Sequence, residues 1–419
     1  MVDLKTRINQ ANEDALQILL SGRPVLVDVQ SAIDVVPGMR RNMVLHSAPP
    51  IEWRDMCGPH RKSIVGAILW EGLASTPEQA ETMIQSREVL IEPCHHHDTV
   101  GAGTGITSAS TPMFVVRNEK FGNMAFSCLS EGGTLNLLKW GCYDEPIATN
   151  LSWQAEVLGP ALGAAVRAIG GVDVKSIITR AVQMGDECHN RSIAAHGLFY
   201  REVAVALLDT APDRDSLAAC INFLTQAEHF FLHGIMAAAK AILNAAAGTE
   251  YSTMVTAMAR NGVDFGIRVA GLGDDWFTAP ANYVDGLYFR SEWGPADAAP
   301  DLGDSSIAET VGLGGFIQAA APTVQSYVGG TMQQAINNTR DMETICIGVN
   351  PDVQIPSLDF DGAPVGIDIR KVVGTGTTPL IDTAITHRDG GLIGAGQVRA
   401  PMGCFEKALQ AFSRQYRAS

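Results

Sequence analysis

Short β-rich runs alternate with helix-like segments over the first 98 residues, and this alternation constrains the fold more than any other feature of the chain. A helical pattern around Asn12 to Leu20 precedes the run PVLVDV, from Pro24 to Val29. A second short apolar run, IVGAILW, lies within Ser63 to Trp70 and is interpreted as another strand. Several strands with helices between them are therefore predicted in this region.

A helix with a clear start signal comes next. Thr76 is a good N-cap, Pro77 suits the first helical position, and Gln79 can complete a capping box. The run VLIEPC that follows has the pattern of a strand. A strand, a helix and a strand in this order imply parallel pairing with a right-handed crossover, so residues 1–98 are predicted to form a Rossmann-like α/β domain.

A polar run stands where the last of these strands ends. Cys94 to Thr99 reads CHHHDT, and open α/β sheets gather ligands at the carboxyl ends of their strands. The glycine run from Gly101 to Gly105 lacks both the spacing of a dinucleotide loop and the lysine of a P-loop, so it either permits a tight turn or approaches a ligand. A zinc site would use at most His95 and His97, because side chains alternate faces along a strand.

Three further regions differ in their residue patterns and in the secondary structure that these predict. Residues 99–171 are predicted to be an α+β domain, residues 172–250 a helical domain and residues 251–419 an α+β domain. The predicted fold class is therefore α/β and α+β, in several domains.

A dense polar cluster interrupts the apolar spacing of the helical region, which indicates either a site or a solvated face with internal ion pairs. Its members are Asp186, Glu187, His189, Asn190 and Arg191. Farther along, His229 and His233 lie four residues apart, but the glutamate of a zinc-protease motif is missing between them. These two histidines are interpreted as core residues.

Arginines beside glycines or small residues are the candidate anion-binding groups of the last region, because a guanidinium can grip a carboxylate or phosphate with two parallel bonds. They are Arg260, Arg268, Arg370 and Arg399. Acidic residues of the same region supply opposite charge: Asp301, Asp304, Glu309 and Asp368. Each arginine is therefore either a ligand clamp or the partner of one of these acids.

The composition excludes several classes of protein. A chain of 419 residues with 46% hydrophobic residues can bury a sizeable core, and a formal charge of −15 repels nucleic acid and anionic lipid. The N-terminus lacks the apolar stretch of a secretory signal, and the apolar run Gly234 to Ala247 is too short to cross a bilayer. Eight cysteines without a CxxC pair indicate free thiols. We expect a cytoplasmic protein that binds neither nucleic acid nor membrane and forms a homo-oligomer.

Several longer strings together resemble one family. In chain order they are PCHHHDTVG, VQMGDECHNRS, MARNGVDFGIRVAG, WFTAPA, DLGDSSIAETVGLGGF, IPSLDFDGAPVGIDIRKVV and GLIGAGQVRAPMGCFEKAL. They are similar to the YlbE/YahG family of bacterial proteins, also called AllG, over nearly the whole chain. The resemblance implies a Rossmann-like domain, a small helical domain and α+β domains.

The resemblance also implies a role in ureide breakdown, as a subunit of a carbamoyltransferase that converts oxalurate and phosphate to oxamate and carbamoyl phosphate. The implied pathway neighbours are an FdrA-like protein, a YlbF-like protein and a carbamate kinase. No cofactor or metal is predicted. Two alternatives stay open: a non-catalytic ureide-binding or scaffold subunit for an FdrA-like partner, and a metal-dependent amidohydrolase that uses Cys94, His95 and His97.

The transfer chemistry suggests roles for the polar residues. His95 or His97, oriented by Asp98, would donate a proton or polarise the carbonyl. Backbone N–H groups of the glycine run would stabilise the oxyanion. Arg191, Arg268 and Arg370 would hold the carboxylate and the phosphate. The full set of predicted substrate-binding residues is Gly101, Gly103, Gly105, Glu187, Asn190, Arg191, Arg260, Asn261, Arg268, Asp304, Asp368 and Arg370.

Overall fold

The computed structural model describes residues 3–417 and has a mixed α/β architecture with several sheets. The α-helices are α1 (Leu4–Ser21), α2 (Ala32–Val35), α3 (Gly58–Trp70), α4 (Pro77–Gln85), α5 (Glu145–Trp153), α6 (Gly159–Ala168), α7 (Val174–Gln183), α8 (Ile193–Thr210), α9 (Arg214–Gln226), α10 (Leu232–Ala246), α11 (Ile307–Thr310), α12 (Gln325–Val328), α13 (Met332–Ile345), α14 (Ile369–Thr375) and α15 (Met402–Arg417). The strands are β1 (Pro24–Ser31), β2 (Met43–His46), β3 (Leu90–Pro93), β4 (Thr99–Val100), β5 (Pro112–Asn118), β6 (Met124–Cys128), β7 (Val172–Asp173), β8 (Val255–Asn261), β9 (Asp264–Val269), β10 (Phe277–Pro280), β11 (Asp285–Tyr288), β12 (Leu302–Gly303), β13 (Cys346–Ile355), β14 (Asp361–Ile367), β15 (Leu380–Thr386) and β16 (Leu392–Arg399).

The described strands form sheets of different size. A five-stranded sheet has the order β4-β6-β5-β1-β7, a four-stranded sheet the order β10-β9-β8-β12, and a three-stranded sheet the order β11-β16-β15. Two small sheets pair β13 with β14 and β2 with β3. The five-stranded sheet takes β1 from the predicted first region, β4 to β6 from the second and β7 from the third, so the regions seen in the sequence share one sheet.

The local predictions for the first region are largely confirmed. Helix α1 and strands β1 and β3 lie where the patterns placed them. Thr76 caps α4, because its Oγ1 accepts from the Gln79 N–H at 3.3 Å. The Gln79 side chain accepts from the N–H of Ser75 at 2.9 Å, one residue earlier than a capping box requires.

The strand predicted within Ser63 to Trp70 is wrong, because this run is the second half of helix α3. Ile64, Ala67 and Ile68 are all buried, and their spacing places them on one helical face. The parallel pair is therefore β2 with β3, whereas β1 pairs antiparallel with β5 and β7. Because the strands of residues 1–98 are divided between two sheets, a Rossmann-like domain over these residues is not confirmed.

An aromatic cluster holds helices α8 and α10 on the five-stranded sheet. Phe199 of α8 stacks on Phe231, which directly precedes α10, with ring centroids 4.3 Å apart. Both rings also meet Phe114 of β5 edge to face, at 6.0 Å. All three side chains are fully buried. This packing fixes the start of α10, which carries His233 into the candidate site described below.

Truncating one ring of this cluster should destabilise the fold. We expect Phe199→Ala to lower the free energy of unfolding by about 3–5 kcal/mol, because a large cavity is left in a closely packed core. Val205→Ala is a matched control on the same helix, since Val205 is 70% exposed, and should cost less than about 0.5 kcal/mol. Urea unfolding followed by circular dichroism measures both, and equal effects would contradict the assigned core.

Candidate functional site

A cavity of about 300 Å³, called here the central cavity, lies where three parts of the chain meet. They are the segment between β6 and α5, the start of α10 with the loop before α8, and the β15–β16 hairpin with β12 and the residues after it; the glycine run closes the cavity through Ala102 and Gly103. Its polar lining residues are Ser130, Thr134, Lys139, His189, Asn190, His229, His233, Ser305 and Thr383. A second cleft of about 440 Å³ opens at the start of α7, but its Lys175 is already paired with Asp352 at 2.7 Å.

The first wall of the central cavity, called the acid–base wall, consists of His189, Asn190 and Thr383. His189 Nδ1 donates to Oε1 of Glu309 at 2.7 Å, and Glu309 is fully buried. The same oxygen accepts from the backbone N–H groups of Gly315 at 3.1 Å and Asp382 at 3.2 Å. A buried carboxylate therefore fixes the orientation of an imidazole at the edge of a cavity, which is the arrangement of a general acid or base.

Two further buried carboxyl groups lie near Glu309. Burial raises the pKa of Asp382 well above its ordinary value, and the charge of Glu309 adds to this shift. Burial, and then the charge of Asp382, raises the pKa of Glu187 in the same way. Protonation of these neighbours relieves the like-charge repulsion on the carboxylate that holds His189.

The predicted polar cluster folds into the loop that positions His189. The carboxyl oxygens of Glu187 accept from the N–H groups of His189 at 2.5 Å and Arg191 at 2.6 Å. Asn190 lines the cavity and donates from Nδ2 to the carbonyl oxygens of Thr383 at 3.3 Å and Gly396 at 3.2 Å. Glu187 is thus a positioning residue, and Asn190 ties the loop to the β15–β16 hairpin.

The second wall, called the lysine wall, consists of Ser130, Lys139, His229 and His233. Lys139 Nζ donates to Ser130 Oγ at 3.3 Å, and His229 Nδ1 lies 3.2 Å from Ser192 Oγ. His233 Nδ1 lies 3.5 Å from Ser127 Oγ, while its buried Nε2 has no hydrogen-bond partner among the described residues. Burial lowers the pKa of Lys139, and it lowers the pKa of His233 well below the ordinary value.

The histidines of the CHHHD run lie outside the central cavity. Cys94–His97 forms a short 3₁₀ helix rather than the end of a strand. His95 is buried 3.2 Å from Lys240 Nζ, whereas His97 bonds through its two ring nitrogens to the carbonyl oxygen of Pro37 at 2.6 Å and to Glu92 at 2.8 Å. His95 and His97 therefore do not converge on one point.

Asp98 orients neither histidine, because its Oδ1 accepts from Asn244 at 2.7 Å. Cys94 is equally committed, since its Sγ donates to the Gly105 carbonyl at 3.1 Å. Across residues 3–417, no cluster of three or more His, Cys, Asp or Glu side chains has an arrangement that could hold a metal ion.

The glycine run serves close packing. The N–H of Gly101 donates to Asp304 Oδ2 at 3.1 Å, that of Thr104 to the Lys139 carbonyl at 2.8 Å, and that of Gly105 to Ala102 at 3.1 Å. These groups are consequently not free to bind an oxyanion. Gly103 lines the cavity, and a Cβ atom there would lie 2.3 Å from the Lys139 carbonyl oxygen. Only glycine fits at this point of contact.

The predicted arginine clamp is not assembled, because each arginine has its own protein partner. Arg268 pairs with Asp274, Arg370 pairs with Asp368 at 2.8 Å, and Arg191 Nε lies 3.4 Å from Asp186. None of the three lines the central cavity among the described residues.

The remaining predicted residues are structural or lie beneath the cavity. Asn261 closes a turn by accepting from the N–H of Val263 at 3.0 Å. Arg260 is fully buried and donates to Asp301 at 2.6 Å and to Thr383 Oγ1 at 2.8 Å. Arg260 therefore supports a cavity-lining residue without facing the cavity.

Five residues that the structure places in or directly behind the cavity were not among the predicted catalytic or substrate-binding residues: Lys139, His189, His229, His233 and Glu309. One signal was the nearness of His229 and His233 in the sequence, because the turn before α10 and the first residues of α10 both line the cavity. His189 stood within the predicted polar cluster. Lys139 gave no sequence signal of its own.

Asp304 connects the glycine run to the last region, residues 251–419, and its burial leads to a predicted pH effect on stability. Its carboxyl oxygens accept from the N–H groups of Ala48 at 2.8 Å and Gly101, and burial raises its pKa from 3.8 to about 7. A carboxyl with a raised pKa contributes stability at low pH that is lost as the pH rises through its folded-state pKa.

We therefore expect the loss of unfolding free energy in Asp304→Asn, relative to the unchanged chain, to be largest near pH 4 and to shrink toward pH 8. Asp213→Asn is the control, because hydrogen bonds from Ser216 lower the pKa of this exposed helix cap. Its small effect should grow with pH instead. Chemical unfolding at several pH values measures both, and a pH-independent Asp304→Asn effect would contradict the assignment.

No helix in the described range 3–417 has the length and hydrophobicity needed to span a bilayer. Comparison with known proteins gives closely similar relatives. Residues 89–305 match the family model "Oxamate carbamoyltransferase subunit AllG".

Two proteins of Escherichia coli K12 are similar to nearly the whole chain. One is named "Uncharacterized protein YahG", with 42% identity over 99% of this chain and 88% of that protein. The other is named "Oxamate carbamoyltransferase subunit AllG", with 43% identity over 97% of this chain and 98% of that protein. A crystal structure of a conserved protein of unknown function from Enterococcus faecalis V583 has 41% identity and a TM-score of 0.97, covering 99% of both chains. The chain therefore belongs to the AllG family of oxamate carbamoyltransferase subunits.

Proposed function

We propose that this chain carries the carbamoyl-transfer site of an oxamate carbamoyltransferase, and that the central cavity is that site. The reaction converts oxalurate and phosphate to oxamate and carbamoyl phosphate. The family supports the reaction class, and the observation that carries the assignment to this cavity is the His189–Glu309 pair at its edge. The cavity volume of about 300 Å³ is in the range of small-molecule sites.

The reaction places specific demands on the site. A phosphate oxygen attacks the terminal ureido carbon of oxalurate, a C–O bond forms and the carbonyl oxygen becomes an oxyanion. The bond from that carbon to the inner nitrogen then breaks, and the nitrogen leaves as the amide of oxamate. This nitrogen must gain a proton, which hydrogen phosphate loses in the overall reaction.

His189 can relay that proton. With Nδ1–H donated to Glu309, the other ring nitrogen is available to take a proton from hydrogen phosphate and to give it to the departing nitrogen. Glu309 stabilises the imidazolium that forms between these two events. The hydroxyl group of Ser305 lines the same cavity and is available as a donor to an oxalurate carbonyl group, whereas Thr383 Oγ1 already donates to Asp301 at 3.1 Å.

The proposal extends to the setting of the enzyme. We propose that it is a cytoplasmic homo-oligomer that takes part in ureide breakdown. It would work with an FdrA-like and a YlbF-like protein, and a carbamate kinase would consume the carbamoyl phosphate. The AllG family description names a subunit, which supports assembly with other chains.

Replacing the proposed relay should abolish turnover without unfolding the chain. We expect His189→Asn to lower kcat by about 10²–10⁴-fold, because asparagine cannot take and return a proton. Glu309→Gln should lower kcat by a similar factor, since the amide does not stabilise an imidazolium. The assay follows carbamoyl phosphate formed from oxalurate and phosphate, by the chain alone and with its FdrA-like and YlbF-like partners.

His387→Asn is the matched control, because His387 lies in the turn between β15 and β16 and does not line the cavity. Full activity of His189→Asn in the assembled complex would assign the chemistry to another chain, and this chain would then serve as a scaffold or binding subunit.

A further inference from the structure

We infer that the lysine wall of the central cavity binds the inorganic phosphate that accepts the carbamoyl group. The inference rests on the proposed function and names the place of one of its two substrates. It assigns a binding role to Lys139, His229 and His233, none of which takes part in the proton relay.

Charge is the first argument. The chain has a formal charge of −15, yet no aspartate or glutamate is among the described residues that line the central cavity. Lys139 is its one lining lysine or arginine within residues 3–417. The nearby Glu131 accepts from the backbone N–H groups of Leu138 at 2.6 Å and Lys139 at 2.8 Å, and it lines a different cleft. The lining of the cavity therefore carries one cation and no carboxylate, and its lysine wall suits an anion.

Unused hydrogen-bonding capacity is the second argument. His233 Nε2 is buried without a partner among the described residues. Lys139 has three N–H donors, and the described hydrogen bond from Nζ to Ser130 is long, at 3.3 Å. A buried polar atom without a partner is unfavourable, and hydrogen phosphate offers acceptor oxygens to Lys139 and either an acceptor oxygen or its own hydroxyl hydrogen to His233 Nε2.

The arrangement of the donors favours phosphate over a carboxylate. Ser130 and Lys139 come from the segment between β6 and α5, His229 from the segment before α10, and His233 from α10 itself. Burial, and after it the positive charge of Lys139, lowers the pKa of both His229 and His233, so the three groups lie within electrostatic reach. Donors that approach from several elements fit a tetrahedral anion, whereas a planar carboxylate is best held by the parallel N–H groups of an arginine.

The two walls then have complementary tasks. Phosphate held at the lysine wall faces the ureido carbon of oxalurate, and His189 on the acid–base wall serves the departing nitrogen. The arginines that would otherwise grip an anion are committed to Asp186, Asp274 and Asp368.

Direct binding of inorganic phosphate tests the inference without turnover. We expect isothermal titration calorimetry to show that Lys139→Met weakens phosphate binding by roughly tenfold or more, because a charge-assisted hydrogen bond is lost. Lys62→Met is the matched control, since the exposed Lys62 donates to the carbonyl of Asp389 outside the cavity. Its phosphate affinity should equal that of the unchanged chain. Near-ultraviolet circular dichroism checks that each variant is folded.

A second variant, His233→Asn, tests the inference independently in case Lys139→Met does not fold. His233→Asn keeps a polar atom beside Ser127 and removes the unpartnered nitrogen, so it should also weaken phosphate binding, by several-fold. Phosphate binding that neither variant changes would overturn the inference. Absence of phosphate binding by the unchanged chain, alone and in the reconstituted complex, would overturn it as well.

A further titration distinguishes phosphate from the substrate carboxylate. Saturating oxamate should leave the phosphate affinity unchanged or improve it, because the inference assigns the two ligands to different walls of the cavity. Competition between them would assign the lysine wall to the carboxylate and overturn the phosphate assignment. If the variants lose phosphate binding but no carbamoyl phosphate forms in any assembly, the phosphate subsite stands and the proposed reaction fails.

Discussion

The architecture around the central cavity depends on the hydrogen bonds and the ion pair that the buried guanidinium of Arg260 makes. Arg260 binds both oxygens of Asp301, the carbonyl of Gly303 and the hydroxyl of Thr383, at distances from 2.5 to 3.0 Å. It also reaches Ser305 at 3.4 Å. These contacts join β8 and β12 of the four-stranded sheet to β15 of the three-stranded sheet. A buried charge is tolerated only when it is paired and fully hydrogen-bonded, and Arg260 meets both conditions.

The consequence for the site is geometric. Ser305 and Thr383 line the central cavity, and the loop that carries His189 is attached to the same hairpin through Asn190. Glu309, the carboxylate behind His189, belongs to the short helix α11 that follows the Asp304–Ser306 turn. The acid–base wall is therefore built on a rigid buried network, which is what a catalytic group needs to keep its orientation.

Local structure was predictable where local signals decide it. The cap at Thr76 and the alternation that leads to β1 and β3 depend on neighbouring residues, and the structure confirms them. The strand predicted at IVGAILW was wrong because a short apolar run does not distinguish a buried strand from a buried helix. The site was harder to predict because its decisive contacts join distant residues. His189 and Glu309 are 120 positions apart, and Arg260 and Asp301 are 41 apart. Arginines taken for ligand clamps are the partners of acids, a choice that spacing alone does not decide.

The glycine run beside the CHHHD segment has a consequence for comparisons among relatives. At Gly101, Gly103 and Gly105 a methyl group would lie 2.3 to 2.6 Å from backbone atoms of Gly105, Lys139 and Ser47, respectively. These positions exclude every side chain for reasons of space, whatever reaction the cavity supports. A relative that had lost all activity would keep the three glycines as long as it kept the fold. Their presence in another sequence therefore reports a shared backbone, while the residues at positions 139, 189 and 233 would report the proposed chemistry.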